Sequence, residues 1–249
     1  MISLIFCVIL YDEIKEDNFL MMYDYIKRNY ECLCDELASV ASRVGVKTPT
    51  LVSVTKSGSD EELMALVRAG ALDIGENRPQ ELRRRLDLIT SSGLSVRAHE
   101  IGSLQTNKVR LIAPDVTLIH SLDRLSLAEK INAEATRLGR KIPVLLEINS
   151  ACEEQKGGIF PEDACAFYES VAGLGAIEIR GLMTMGPVCD TGEEIRPYFR
   201  LTKKLFDEMN ERYGFGDEPV LSMGMSDSYS VAIEEGSTLV RVGRRLFVK

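Results

Sequence analysis

The sequence predicts an α/β protein folded as a single-domain (β/α)8 TIM barrel. Three observations carry this expectation. Eight short apolar runs of strand character recur along the chain, and amphipathic segments with apolar residues at three-to-four spacing separate them. No Pro/Gly/Ser-rich linker or low-complexity tract interrupts the series. Eight strand-helix alternations in about 200 residues favour a closed barrel over an open sheet. A chain of 249 residues with 45% hydrophobic content can bury one large core.

The opening MISLIFCVIL is too short an apolar run for a membrane span. It also lacks the basic start and small-residue cleavage site of a secretory signal. Residues 1–20 are therefore read as an N-terminal extension, with an extra strand or a peripheral anchor left open, and residues 21–249 as the barrel. A helical pattern covers about 22 to 43. The strand runs are then TLVSVT, ALDIG, VRAHEIG, VTLIH, IPVLLEIN, IEIRGLM, PVLSMG and TLVRVG. Between them lie helical segments such as DEELMALVRAG, RPQELRRRLDLI, DRLSLAEKINAEATRLG and IRPYFRLTKKLFDEMNERYG. Only RRLFVK follows the eighth strand, so the helix before the first strand is expected to cover the closing seam.

The net charge of -8 opposes a phosphate-backbone partner, since nonspecific nucleic-acid binding draws on clustered Lys and Arg. The run Arg83-Arg84-Arg85 lies in a helical pattern and reads as a solvated face. Six cysteines, at 7, 32, 34, 152, 165 and 189, form no CxxC pair and no zinc-spaced cluster. They read as reduced thiols of a cytoplasmic protein that binds neither nucleic acid nor membrane.

Ligands of such barrels sit at the C-terminal strand ends, and phosphate often sits on the loops after strands seven and eight. Lys56 leaves strand one at this level, where it is either plainly solvated or a partly desolvated amine suited to Schiff-base chemistry. Closure brings Arg241 and Gly243 of strand eight beside it. In LSMGMSDS, Ser226 and Asp227 resemble a helix N-cap, and the same loop suits an anion. Asn77 in GENRPQ is either a turn former or a side-chain amide aimed at a ligand. His99 and His120 read as packed or hydrogen-bonded rather than catalytic, and Met183 and Met185 as core fillers.

LVSVTK, DIGENRPQEL, HEIGSLQTNKVRLI, IHSLDR, IRGLMTMGP and LSMGMSDSYSVAIEEGSTLVRVGRRLF occur in the order seen in the pyridoxal phosphate homeostasis (YggS/PROSC) family. The resemblance covers nearly everything from about residue 22 onward. It implies a barrel of the alanine racemase N-terminal type, with pyridoxal 5'-phosphate as cofactor. By motif, Lys56 looks like the Schiff-base lysine, Ser226 and the backbone at Gly243 and Arg244 like phosphate ligands, Arg241 like the partner of the pyridine nitrogen, and Asn77 like a polar contact to the cofactor. Arg244 stands where many relatives carry Thr or Ser, and Ala98-His99-Glu100 where an aromatic-flanked histidine is common.

The resemblance implies a binding protein of intracellular cofactor homeostasis, monomeric or weakly dimeric, whose partners are pyridoxal phosphate, related B6 vitamers and apo enzymes that use them. The alternative is an amino-acid racemase or lyase. A racemase of the related fold needs a second acid/base from a further C-terminal domain, and none is expected after RRLFVK. An arginine at the pyridine nitrogen also disfavours ring protonation and weakens the electron sink.

Overall fold

The computed structural model describes residues 22–249, so the extension expected at 1–20 and Cys7 lie outside the described residues. Eight parallel strands close into a barrel in chain order: β1 (Thr50–Val54), β2 (Asp73–Glu76), β3 (Arg97–Glu100), β4 (Val116–Leu122), β5 (Ile142–Glu147), β6 (Ile177–Met183), β7 (Val220–Ser222) and β8 (Leu239–Val242). Each overlaps one of the eight runs read from the sequence. The outer layer consists of α1 (Asp24–Val44), α2 (Asp60–Arg68), α3 (Pro79–Ser91), α4 (Val109–Ile112), α5 (Leu125–Leu138), α6 (Ala164–Val171), α7 (Arg196–Tyr213) and α8 (Tyr229–Glu234).

Side chains alternate between the two faces of each strand, so the barrel sorts its residues by parity. Ile74, Ala98, Val144, Leu146, Leu182 and Leu221 point outward into the main apolar cluster with the helices. Val52, Leu118, Leu145, Met183 and Leu239 form a separate buried cluster. Residues from five different strands can meet in this way only on the barrel axis. Met185, also expected in the core, lies beyond the end of β6 and is 44% exposed, because the chain has left the sheet two residues earlier.

α1 covers the seam between β8 and β1. Ile26, Leu33, Leu37 and Ala41 recur at helical spacing and pack with Val240 and Val242 of β8, Leu66 of α2 and Ile233 of α8. The segment after β8 is tied to the same helix. Asn29 Nδ2 donates to the carbonyls of Leu246 at 3.2 Å and Val248 at 2.7 Å, and Arg245 bonds both carboxylate oxygens of Glu36 at 2.6 and 2.7 Å. α2 begins with a capping box, in which the Glu62 N–H donates to Ser59 Oγ at 3.2 Å and the Ser59 N–H donates to Glu62 Oε2 at 2.7 Å. The first helical turn is thereby fixed four residues after Lys56.

Candidate functional site at the C-terminal mouth

Lys56 lies two residues beyond β1, in the turn by which the chain leaves the strand at the C-terminal mouth. The turn that carries it is clamped from three sides. The Gly58 N–H donates to the Thr55 carbonyl at 3.0 Å, Thr55 Oγ1 donates to Glu76 Oε1 at 2.5 Å, and Arg85 Nη2 of α3 donates to the Gly58 carbonyl at 2.8 Å. Arg85 Nε also lies 3.0 Å from Glu76 Oε1 in a buried ion pair, but at an angle too oblique for a hydrogen bond. A Cβ on Gly58 would strike the Phe247 ring. Lys56 itself is exposed, so of the two readings of this residue the structure gives the solvated amine. It presents an accessible amine on a rigid turn.

Arg241, on the neighbouring strand, is only 4% exposed. Its Nη1 donates to Ser222 Oγ and its Nη2 to the Thr184 carbonyl at 3.0 Å. A guanidinium has five N–H donors, so these two acceptors leave capacity for a ligand. Burial pulls the Arg241 pKa down to about 10, partly offset by the Glu147 carboxylate, so the group still carries its charge at neutral pH. Glu147, at the end of β5, is pushed up to about 7 by burial and by Asp123, against the pull of Arg241 and Arg124.

His99 and His120 are both buried and hydrogen-bonded, as read from the sequence. His120 Nδ1 lies 3.0 Å from Ser222 Oγ, His120 Nε2 lies 3.0 Å from His99 Nδ1, and His99 Nε2 lies 2.9 Å from Asp73 Oδ1. Arg97 closes the series with bonds to Asp73 at 2.7 and 2.5 Å. Burial pushes the His120 imidazole well below its ordinary range, with His99 and Arg241 adding to the effect. Burial alone would raise Asp73, yet the bonds from His99 and Arg97 win and hold it below the usual carboxylate range.

The two loops beside the seam approach each other closely. Gly224 has φ +95°, and a Cβ there would lie 2.5 Å from Ala232 Cβ, so glycine is required both by backbone and by space. The expected N-cap at Ser226 and Asp227 is displaced: Ser228 occupies the cap position of α8, and its Oγ accepts the Met225 N–H at 3.1 Å. The Ser226–Ser228 turn lies between the strand and the helix, so Ser226 is half-buried and not committed to the cap. Across the seam, a Cβ on Gly243 would sit 2.9 Å from the Val54 carbonyl oxygen. Gly243 leads into a 3-10 turn, Arg244–Leu246, whose first amides have no acceptor within the turn. The exposed Arg244 side chain pairs with the Asp227 carboxylate and links the two loops.

Asn77 follows β2 and is exposed, its backbone pressed by Gly102 so closely that a Cβ at Gly102 would strike the Asn77 carbonyl. Lys56, Asn77, Ser226, Arg241, Gly243 and Arg244 thus all lie at the C-terminal ends of β1, β2, β7 and β8. Ser222 and the Thr184 carbonyl, which hold Arg241, were not singled out from the sequence. A polar residue at inward parity inside PVLSMG was the available signal for Ser222. An open cleft of about 470 Å³ lined by Asn132, Thr136, Arg140 and Lys141 lies at the opposite end of the barrel, away from these residues. Among the described residues, no group of His, Cys, Asp and Glu is placed to hold a metal ion, and no helix is long and apolar enough to cross a membrane.

The sequence model of the family described as "Alanine racemase, N-terminal domain" matches residues 26–248. The pyridoxal phosphate homeostasis protein of Aquifex aeolicus (strain VF5) is 38% identical over 223 residues, spanning 86% of this chain and 96% of that protein. This chain belongs to the pyridoxal phosphate homeostasis protein family. Its relative of the same name in Helicobacter pylori is 38% identical over 199 residues, 79% of this chain and 86% of that one. Among solved structures, PipY of Synechococcus elongatus with PLP bound superposes with a TM-score of 0.78 at 28% identity, covering 90% of this chain and 100% of PipY. Alanine racemase of Clostridium difficile shares the fold alone, with a TM-score of 0.67 at 17% identity over 91% of this chain and 56% of that one.

Proposed function

We propose that this family member binds pyridoxal 5'-phosphate at the C-terminal mouth, holds it on Lys56 as a Schiff base, and serves intracellular cofactor homeostasis without efficient substrate turnover. The observation that carries this reading is the buried, charged Arg241 below the mouth beside an accessible lysine on a clamped turn. The donor set fits the cofactor. A buried guanidinium with unspent donors suits a ring nitrogen that accepts, and the first amides of the 3-10 turn that follows Gly243 are donors of the kind a phosphate takes. The PLP-bound structure of PipY and the names of the curated relatives support the same identification of the ligand.

When bound, the cofactor supplies an aldehyde carbon that condenses with a primary amine and releases water. Lys56 offers that amine, and the bonds of Thr55, Glu76 and Arg85 around its turn keep it in place. The amides of Gly243 and Arg244, with the Ser226 hydroxyl, offer phosphate donors, and Asn77 a further polar contact beside β1. Arg241 would donate to the ring nitrogen while keeping its own proton, which disfavours protonation of that nitrogen and so weakens the electron sink the ring would supply. That favours storage over racemase or lyase chemistry. The five described cysteines are all free, in keeping with a cytoplasmic protein.

Loading the protein with pyridoxal phosphate, desalting it and adding an apo enzyme that depends on the cofactor tests this function. The expected result is cofactor retained by the wild type, lost from Lys56→Ala, and delivered to the apo enzyme with recovery of its activity. Equal retention by both proteins would overturn the assignment.

A further inference from the structure

A continuous series of polar groups runs inside the barrel from rim to mouth. Arg97 opens β3 at the N-terminal rim with its side chain 57% exposed, and Arg241 lies one residue before the end of β8, bonded to Thr184 just past β6. Between them stand Asp73, His99, His120 and Ser222, each within 3.0 Å of the next. These residues come from β2, β3, β4 and β7. A purely apolar filling would close the axis with fewer constraints, since every buried polar group must find its partner.

We infer that His120 and His99 are positioning residues for the cofactor site: with Ser222 they form a hydrogen-bond column, polarised in one direction from Arg241 to Asp73, that fixes the guanidinium below the mouth. The direction follows from the two ends. Arg241 can only donate, so the Ser222 oxygen accepts from it and the single Ser222 proton goes to His120 Nδ1. His120 must then carry its proton on Nε2 and donate to His99 Nδ1. His99 in turn donates from Nε2 to the Asp73 carboxylate, which can only accept. Both imidazoles are thereby Nε2–H tautomers, and each donor in the series has one acceptor.

The opposite polarity does not balance. If His120 donated from Nδ1 to Ser222, that oxygen would receive two donors and its own proton would need a further acceptor. His99 would also need an additional proton in order to keep donating to Asp73. Arg97 already supplies Asp73 with two bonds and a positive charge, so the carboxylate does not call for another cation. Burial drives His120 away from its charged form as well. The consequence at the mouth is a Ser222 hydroxyl with a fixed orientation and an Arg241 whose remaining donors keep one aim. Preorganised donors of this kind hold a ligand without reorganisation when it binds.

The inference rests on Arg241 as the partner of the ring nitrogen, and its test separates the two claims. The chain has two histidines, so protein labelled with nitrogen-15 histidine gives one pair of imidazoles to assign. The cofactor-free wild type is expected to show both rings as Nε2–H tautomers at neutral pH. A ring in the Nδ1–H form, or one protonated on both nitrogens, would overturn the column's polarity. In the second arm, His120→Phe is expected to weaken pyridoxal phosphate binding by about tenfold, the loss of one charge-assisted contact, and to shift the absorption band of the bound cofactor. His120→Gln, which keeps one acceptor and one donor, is expected to restore most of both. Borohydride trapping on Lys56 should persist in every variant. Trapping at Lys56 with an affinity and spectrum unmoved by His120→Phe would sink the column and spare the cofactor assignment. Failure of the wild type to trap cofactor on Lys56 would sink that assignment and leave the tautomer result to decide the column.

Discussion

Val52 on β1 and Arg241 on β8 are register partners across the seam that closes the barrel. Both point inward, and the chain runs on from Val52 through Val54 into the turn that carries Lys56, and from Arg241 past the end of β8 to Gly243. The pairing therefore brings the amine, the buried guanidinium and the close approach of Gly243 to the Val54 backbone to one side of the mouth. The C-terminal segment that follows is fastened to α1 through Asn29 and Glu36, so the helix over the seam also steadies the site.

Ser228, and not Ser226, stands at the cap position of α8, so on the proposed reading the Ser226 hydroxyl is available to the phosphate. Replacing it with alanine should cost roughly 1.5 to 3 kcal/mol of binding, or about ten- to hundredfold in affinity. Equilibrium dialysis with pyridoxal phosphate measures this, and an unchanged dissociation constant would remove Ser226 from the site.

Gly243 has no room for a side chain, since a Cβ would meet the Val54 carbonyl oxygen at 2.9 Å and Val54 Cβ at 3.1 Å. Both neighbours belong to a strand residue that cannot swing away. Gly243→Ala should destabilise the fold by about 1 to 3 kcal/mol and weaken cofactor binding together with it. Gly173→Ala, where a Cβ would meet open space, serves as the control and should leave both unchanged. Thermal and chemical denaturation report the first effect.

On the proposed reading, Arg244 contributes its backbone rather than its side chain to the phosphate site. The side chain pairs with Asp227, and both partners are more than two-thirds exposed, at 70% and 77%. Arg244→Ala should therefore alter stability by less than about 1 kcal/mol and leave cofactor affinity close to the wild type. A hundredfold loss of affinity would show instead that the guanidinium binds the phosphate directly.

Glu100 is fully buried, with one carboxyl oxygen accepting from the Gly102 N–H at 3.2 Å and the other unpartnered. Burial pushes it up to about 8, with the Gly102 bond opposing and Glu76 adding. The folded protein thus holds a proton that the unfolded chain releases near pH 4.3. The associated stability is fully present below about pH 4.3 and is lost as pH rises through about 8, because the native state binds more protons across that window. Glu100→Gln should flatten this decline by on the order of 3 to 4 kcal/mol between pH 5 and 8, with Glu147, pushed up to about 7, giving a smaller total decline of the same sign. Coincident pH-stability curves for the variant and the wild type would contradict it.

The strands were legible because each alternates an outward apolar residue with an inward one and is bounded by turn residues, as in TLVRVG around Arg241. Lys56 and Arg241 were legible as neighbours from closure alone. The column was not. His99, His120, Asp73 and Ser222 are distant in sequence, and each taken singly has an ordinary reading as a packed or capping residue. Only the register between strands turns four isolated polar residues into a series. Ser226 was misplaced as a cap because Ser226 and Ser228 are equally good capping types, and the turn geometry alone chooses between them. Met185 was misplaced because a sequence pattern does not mark the last sheet residue to within two positions.

On the proposed reading, a protonated Arg241 at the ring nitrogen also limits reactivity. Holo protein should racemise alanine or serine far more slowly than about 1 per second, the low end of ordinary enzyme turnover. Chiral chromatography with Lys56→Ala as the control checks this. Lys56-dependent turnover at or above that rate would favour the racemase or lyase reading.

The most direct test is where the cofactor is attached. Wild-type protein incubated with pyridoxal phosphate, reduced with borohydride and digested should yield one modified peptide, with the added mass on Lys56. The visible absorption band should be lost on reduction, and Lys56→Ala should show neither band nor adduct. A reduced adduct confined to any other lysine would contradict the assignment of the mouth between β1 and β8 as the cofactor site.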